Sequence, residues 1–320
     1  MANIIFRTDV HACDRNPASW KGDYPGEIWS NLEQIGKLAR DEKAIAVLDG
    51  GDFFHTKAAS RNSHALVAKT AEIHAAYPCP VWAVPGNHDI AYSNLETLER
   101  QPLGVLYASG VFKRLGEVTF PGERVVRVVG VPYSTSLKLE DLLAIQKTGD
   151  EILIAVVHAL AAENPPSHVD DLFNETVFRY GDMVSENGPD CWLFGHWHKD
   201  QGITIIDGKH FVNLGAISRG ALIKDNLDRI PKVAIIRIDE HGLGVEPFSL
   251  AVAPATEVFD IEAKQRREQE QDNIDQFVLR LQNDTVLDPS RAIADNVRAL
   301  DFADDVRSLA LDYLEKAREG

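Results

Sequence analysis

The chain has 320 residues, 44% of them hydrophobic and 26% charged, the balance of a soluble globular protein with room for one large or two modest domains. Its 33 Lys and Arg against 49 Asp and Glu leave a formal net charge of −16, a surface that repels bulk nucleic acid, so a polyanionic substrate must be held by local positive charge, metal ions or a partner. Cys13, Cys79 and Cys191 are too few and too scattered for a disulfide framework or a cysteine-based zinc site, no run has the length of a membrane span, and the N-terminus lacks the apolar core of a signal peptide; a cytoplasmic protein is expected.

The first apolar run, Asn3–Phe6, reads as a strand, and Asp9 and His11 follow it in Thr-Asp-Val-His. Ile28, Leu32, Ile35 and Leu38 then keep a helical period. A second strand over Ala44–Leu48 leads into Asp-Gly-Gly-Asp-Phe-Phe-His, with Asp49, Asp52 and His55. Leu66, Ala71 (loosely), Ile73 and Ala76 mark a second helix, on which His64 and His74 read as surface or core-edge residues. The third strand, Pro80–Val84, runs into Gly-Asn-His-Asp at Gly86–Asp89. Alone, that tetrapeptide has two readings. It is a turn, because Gly and Asn tolerate left-handed backbone and Asp bonds its own backbone, or it is a site with an amide oxygen, an imidazole and a carboxylate on a rigid strand end.

Further strands over Val125–Val131, Ile152–Val157 and Cys191–Phe194 follow, the last two delivering His158 and, in Gly-His-Trp-His, His196 and His198. Strands alternating with helices predict an α/β core. Beyond His198 the pattern is all-β, with a hairpin about Asp207-Gly208 and paired runs over Lys232–Ile238 and Gly244–Leu250. At Pro254 the composition turns charged, which divides the chain into a domain over 1–253 and a tail over 254–320. In the tail, Ile274, Phe277, Val278 and Leu281 share a helical face. After a break at Asn283–Ser290, Ile293, Val297, Leu300, Val306, Leu309 and Tyr313 give a second amphipathic helix or a pair of them. A helical hairpin is expected, its apolar faces either packed on the core or awaiting a partner.

Five apolar strands thus end in His, Asp or Asn. In α/β sheets, ligand sites gather outside the carboxyl ends of the strands, so these ends are expected to meet. Asp9/His11 and His196/His198 are i, i+2 pairs, which point to one side of an extended backbone. Imidazole, carboxylate and amide oxygen without thiolate suit Mn²⁺, Fe²⁺ or Zn²⁺. There are more ligands than one ion needs, so two ions about 3.5–4 Å apart and sharing a carboxylate are the natural solution; such a pair activates a shared water and clamps a phosphoryl group. That is the chemistry of a phosphate-ester hydrolase.

Taken in order between Ile4 and Asn213, Asp-Val-His, Gly-Gly-Asp-Phe-Phe-His, Gly-Asn-His-Asp, Val-Val-His and Gly-His-Trp-His resemble the five motifs of the calcineurin-like metallophosphoesterase superfamily. The resemblance implies an α/β fold, a four-layer αββα two-sheet sandwich. It implies that Asp9, His11 and His198 hold a first metal, that Asn87, His158 and His196 hold a second, and that Asp52 bridges them. His88 then reaches the scissile phosphate or leaving oxygen, and Asp89 orients its ring. His55, with Lys57, Ser60 and Arg61, is similar to the SbcD-type DNA repair nucleases, the family of the meiotic-recombination nuclease, in which this extra His acts on the DNA phosphate. Val212–Arg219 is similar to their Asn-x-Gly-Ser segment.

That closer resemblance implies two divalent ions, Mn²⁺ first and Fe²⁺ or Zn²⁺ next, and exonuclease or endonuclease action on single-stranded DNA or duplex ends. It also implies an SbcC-like coiled-coil ATPase docked on Glu262–Arg318, and a homodimer. Two alternatives stand beside it: a free-standing phosphodiesterase of cyclic nucleotides, and a non-catalytic scaffold that recruits an ATPase. Outside the motifs, Asp49 reads as a turn former and Trp197 as packing between two histidines. His168, His210 and His241 have no assigned role. Arg15, Lys21, Tyr92 and Asn94 stand where a substrate could touch.

Overall fold

Strands buried on both faces read as unbroken apolar runs, and the longest such run here, β7 (Ile152–His158), lies at the heart of one of two six-stranded sheets. The computed structural model describes residues 2–166, 175–262, 264–266, 269, 271–275, 293–299, 307–308 and 310–312. Two units emerge, Met1–Phe259 and Asp260–Gly320.

In the first unit, β1 (Ala2–Arg7), β2 (Ala46–Asp49), β3 (Val81–Ala83) and β4 (Phe112–Arg114) run parallel. β13 (Lys232–Asp239) and β14 (Gly242–Ser249) join antiparallel at the β1 edge, giving the order β14-β13-β1-β2-β3-β4. The second sheet holds β5 (Glu117–Phe120), β6 (Val126–Val131), β7, β10 (Cys191–Gly195), β11 (Gly202–Ile206) and β12 (Lys209–Asn213), in the order β11-β12-β10-β7-β6-β5. Its β6, β7, β10 and β12 are parallel. Between β7 and β10, β8 (Ala161–Ala162) and β9 (Phe178–Arg179) form a two-residue ladder.

The period of two along each strand sorts residues between layers. Ile4, Phe6 and Leu48 of the first sheet meet Val128, Ile154, Val156, Leu193 and Val212 of the second in one core. The alternate residues of the second sheet, Ala155, Val157, Trp192, Phe194 and Phe211, face away and pack against Tyr180, Met183 and Leu142 of α4 (Leu139–Leu143). On the far side of the first sheet lie α1 (Tyr24–Asp41) and α2 (His64–Ala75), completing helix, sheet, sheet, helix. Asp23 caps α1 by accepting from the Gly26 N–H, and Ile28, Leu32, Ile35 and Leu38 are its buried stripe.

The outer face of β1 and β2 carries a buried polar network. Arg7 and Asp49 are cross-strand partners, and Arg7 Nε donates to Asp49 Oδ2 at 2.7 Å. The same guanidinium donates to the Tyr77 hydroxyl at 3.1 Å and lies 2.9 Å from His74 Nε2. His74 is therefore a buried member of this network, not a surface or core-edge residue, because Arg7 beneath α2 needs an acceptor there. Asp49 Oδ1 accepts the Gly51 N–H, so Asp49 both forms the turn and balances Arg7. Burial raises its carboxyl above the usual range against the pull of Arg7.

The predicted strands and the first two helices all form. β4, β5 and α3 (Pro102–Ala108) appear without a preceding signal, since short edge elements carry too few buried positions to make a period. In the second unit, residues 293–299 are helical, with Val297 buried. Phe277, Val278, Leu281, Leu300, Val306, Leu309, Tyr313, the expected break at Asn283–Ser290 and the loop residue His168 lie outside the described residues, as does most of the expected docking segment. Among the described residues no helix is long and apolar enough to cross a membrane.

Candidate metal centre

β1, β2 and β3 are parallel and so end on one edge of their sheet, where their loops are stitched together. Asp9 N–H donates to the Gly51 carbonyl and His11 N–H to the Asp52 carbonyl, both at 3.0 Å, and His55 N–H returns to Ala12 at 3.0 Å. From the second sheet, β7 ends on His158 and β10 runs directly into His196. The Asp9 carboxylate accepts the His196 N–H at 3.1 Å, and this bond joins the loops of the two sheets.

Positive φ is uncommon outside glycine and marks strain that surrounding structure must hold in place. Of eight such residues among those described, four are Asp9, His11, Asp52 and His196. The strain is thus concentrated where the candidate ligands lie. Glycines give the room: Gly51 has φ +99°, and a Cβ there would sit 2.6 Å from His158 Nδ1. A Cβ on Gly86 would overlap the Asp52 carboxylate.

Two groups of ligand atoms result, each within 4.8 Å internally: Asp9, His11, Asp52 and His198, and Asp52, His158 and His196. Asp52 belongs to both. Its Oδ2 lies 3.9 Å from His11 Nε2, and its Oδ1 lies 3.5 Å from His158 Nε2 and accepts the His88 N–H at 2.7 Å. His198 Nε2 is 3.6 Å from Asp9 Oδ1 and 2.9 Å from His11 Nε2.

The donor chemistry of the second group fits a cation. The Asn87 amide oxygen faces acceptors only: Asp52 Oδ2 and His196 Nδ1 at 3.0 Å and His158 Nε2 at 3.2 Å. Turning the amide over would suit a hydrogen-bond network, but an ion amid these atoms makes the oxygen-inward arrangement the favourable one. The Gly50 carbonyl, 2.7 Å from His158 Nδ1, requires a proton on that nitrogen and so leaves Nε2 turned to the group. Burial opposes charge on both Asp52 and His158, yet their mutual attraction prevails, lowering the Asp52 carboxyl and raising the His158 imidazole to about 9, and the second proton, on Nε2, is one that a cation bound among these atoms would displace. The site thus draws positive charge to itself. In the first group, burial and the neighbouring His198 push His11 well below its usual range.

His55 and His88 stand beside these groups, with His11, His55 and His88 forming a third close set. His88 Nδ1 lies 2.6 Å from the His55 carbonyl. Asp89 does not orient that ring. Its oxygens accept the backbone N–H groups of Gly86 at 2.9 Å, Phe53 at 3.2 Å and Phe54 at 3.1 Å, because the tight turn sends the side chain inward to a loop full of unpaired donors. His55 also lines a cavity of about 270 Å³ together with Arg15 and Arg61.

Glu175 joins the second group from outside every sequence motif. Its Oε2 lies 2.9 Å from His196 Nε2, and its Oε1 accepts the Tyr133 hydroxyl at 3.0 Å. His196 holds the Glu175 carboxyl below its usual range. No motif or periodicity surrounds this residue, so nothing local could single it out. The Val212–Arg219 segment supports the first group from behind. The Ala216 N–H donates to the His198 carbonyl at 3.1 Å, and the Ser218 hydroxyl to the Asp9 carbonyl at 3.2 Å. Trp197 packs against Leu160 and Val177.

A family model described as calcineurin-like phosphoesterase matches residues 2–200. Curated proteins give no match. Among solved structures, a putative 5′-nucleotidase from Staphylococcus aureus, in complex with alpha-ketoglutarate, aligns with a TM-score of 0.54 at 17% identity, covering 85% of this chain. This chain spans 58% of the length of that one. A dimetal phosphatase from Danio rerio aligns with a TM-score of 0.50 at 12% identity, over 78% of this chain and 99% of its own. At these identities the likeness is one of fold.

Proposed function

The chain belongs to the calcineurin-like phosphoesterase family, and on that footing we propose that it is a two-metal phosphodiesterase of DNA, the nuclease subunit of an SbcCD-like repair or recombination complex. The observation that carries the metal reading is the sharing of Asp52 between two groups of ligand atoms. In this reading Asp9, His11, Asp52 and His198 hold one ion, and Asp52, Asn87, His158 and His196 the other. Bound there, two divalent ions, Mn²⁺ or else Fe²⁺ or Zn²⁺, would lower the pKa of water and neutralise charge on the phosphoryl oxygens.

The chain's own groups do the rest. The His88 N–H and the strained loops hold Asp52 in place before any substrate arrives. His88 gives its Nδ1–H to the His55 carbonyl, which leaves Nε2 to hold or deliver a proton at the leaving oxygen. Arg15 and Arg61 line a cavity with His55 and Asp14, and in a chain of net charge −16 the two guanidinium groups are the local positive charge that a DNA phosphate would need. An SbcC-like ATPase docked on Glu262–Arg318 and a homodimer complete the proposed assembly.

A second reading, a free-standing phosphodiesterase of small cyclic nucleotides, draws on the same acidic net charge. Incubating the protein with Mn²⁺ and, in parallel, single-stranded DNA, linear duplex and a cyclic nucleotide separates the two. The nuclease reading expects DNA to be cut and folded Asp52→Ala protein to be inert. Turnover of the cyclic nucleotide alone favours the second reading, and wild-type activity in Asp52→Ala removes the site altogether.

A further inference from the structure

We propose that Glu175 is a positioning residue for the second metal site, and that it acts by fixing the tautomer and orientation of His196; the inference rests on the two-metal reading above. A carboxylate can only accept, so the 2.9 Å contact with Glu175 Oε2 assigns the proton to His196 Nε2. Nδ1 is then left with its lone pair, and it is Nδ1 that lies 3.0 Å from the Asn87 amide oxygen, among the acceptors of the second group. His158 is handled by the same device with the nitrogens exchanged, since the Gly50 carbonyl takes its Nδ1 and Nε2 faces the group. Each ring is set by an acceptor outside the site, but one acceptor is a backbone carbonyl in a core loop and the other is a side chain.

That side chain is itself held. The Tyr133 hydroxyl donates to Glu175 Oε1 at 3.0 Å, and the Tyr133 N–H donates to the Pro85 carbonyl at 3.0 Å, directly before Gly86 and Asn87. Tyr133 also lays its ring against His196, with centroids 5.4 Å apart. A path of bonded groups therefore runs from the Asn87 loop through Tyr133 and Glu175 back to His196. His196 has need of it: with φ +90° its backbone is strained, and its side chain is largely but not fully enclosed. Outer partners of ligating histidines commonly account for 10–100-fold in metal affinity.

The test is titration of MnCl₂ into metal-free full-length protein by calorimetry, with unfolding midpoints measured in EDTA. Wild type is expected to take two ions. Glu175→Ala is expected to keep one at wild-type affinity and to bind the other about 10–100-fold more weakly, with its EDTA midpoint unchanged. Tyr133→Phe, which removes a single hydroxyl, is expected to shift the same ion in the same direction by less. Two ions bound by Glu175→Ala as tightly as by wild type, or both weakened equally, would overturn the inference while leaving the two-metal site standing. Fewer than two ions in wild type would overturn the two-metal reading first.

Discussion

His88 and Asp89 are adjacent in the chain and do separate work. The His88 ring is exposed enough to meet a substrate and is oriented by a backbone carbonyl; Asp89 is buried and ties three backbone N–H groups together. Burial first, and Asp52 second, raise the Asp89 carboxyl to about 7. His88→Gln is expected to lower kcat by about 10²–10⁴, the usual share of general acid–base catalysis, with Mn²⁺ binding unchanged by calorimetry. Asp89→Ala acts on stability instead. It is expected to cost about 1–3 kcal/mol for each buried donor left unpaired, read from urea unfolding of the metal-free protein. Adjacency in Gly-Asn-His-Asp makes an orienting pair look natural, but in a turn this tight neighbouring side chains leave in different directions. Positive φ at Asp9, His11, Asp52 and His196 was equally invisible, because strain there is imposed by loops that meet only in the folded chain.

Among the elements, strands buried on both faces and the hairpins beyond His198 were legible, and the edge strands β4 and β5 were not. β1, β2, β7 and β10 are runs of apolar residues, and the polar residues just past each stood out against them. The residues that brace the elements gave no such contrast. Arg7 interrupts nothing at the end of β1, yet it lies 1% exposed and links β1, β2 and α2 through Asp49, His74 and Tyr77. Removing one partner of a buried pair leaves an uncompensated charge, so Arg7→Met is expected to destabilise the protein by about 3–5 kcal/mol. In the double variant Arg7→Met, Asp49→Leu much of that loss should return, since neither charge is then stranded. Urea melts of the two variants check both statements; equal losses would mean that Arg7 stabilises by packing alone.

At the scale of the molecule, the candidate site is a place where two sheets with separate strand orders are held together by polar groups. Asp9, His11, Asp52 and Asn87 come from loops of the first sheet, and His158, His196 and His198 from strand ends of the second. Ions bound among them would cross-link the sandwich and stabilise the folded state by mass action, about 2.7 kcal/mol per site at a free concentration of 100 Kd. Thermal unfolding should therefore shift upward with Mn²⁺ and downward with EDTA, and Asp52→Ala should abolish most of that shift.

In the proposed centre one carboxylate, that of Asp52, serves two cations. Anomalous diffraction from Mn²⁺-soaked crystals measures this directly. Two peaks about 3.5–4 Å apart, both in contact with Asp52, are the expected result. A single peak, or two peaks that do not share Asp52, would contradict it.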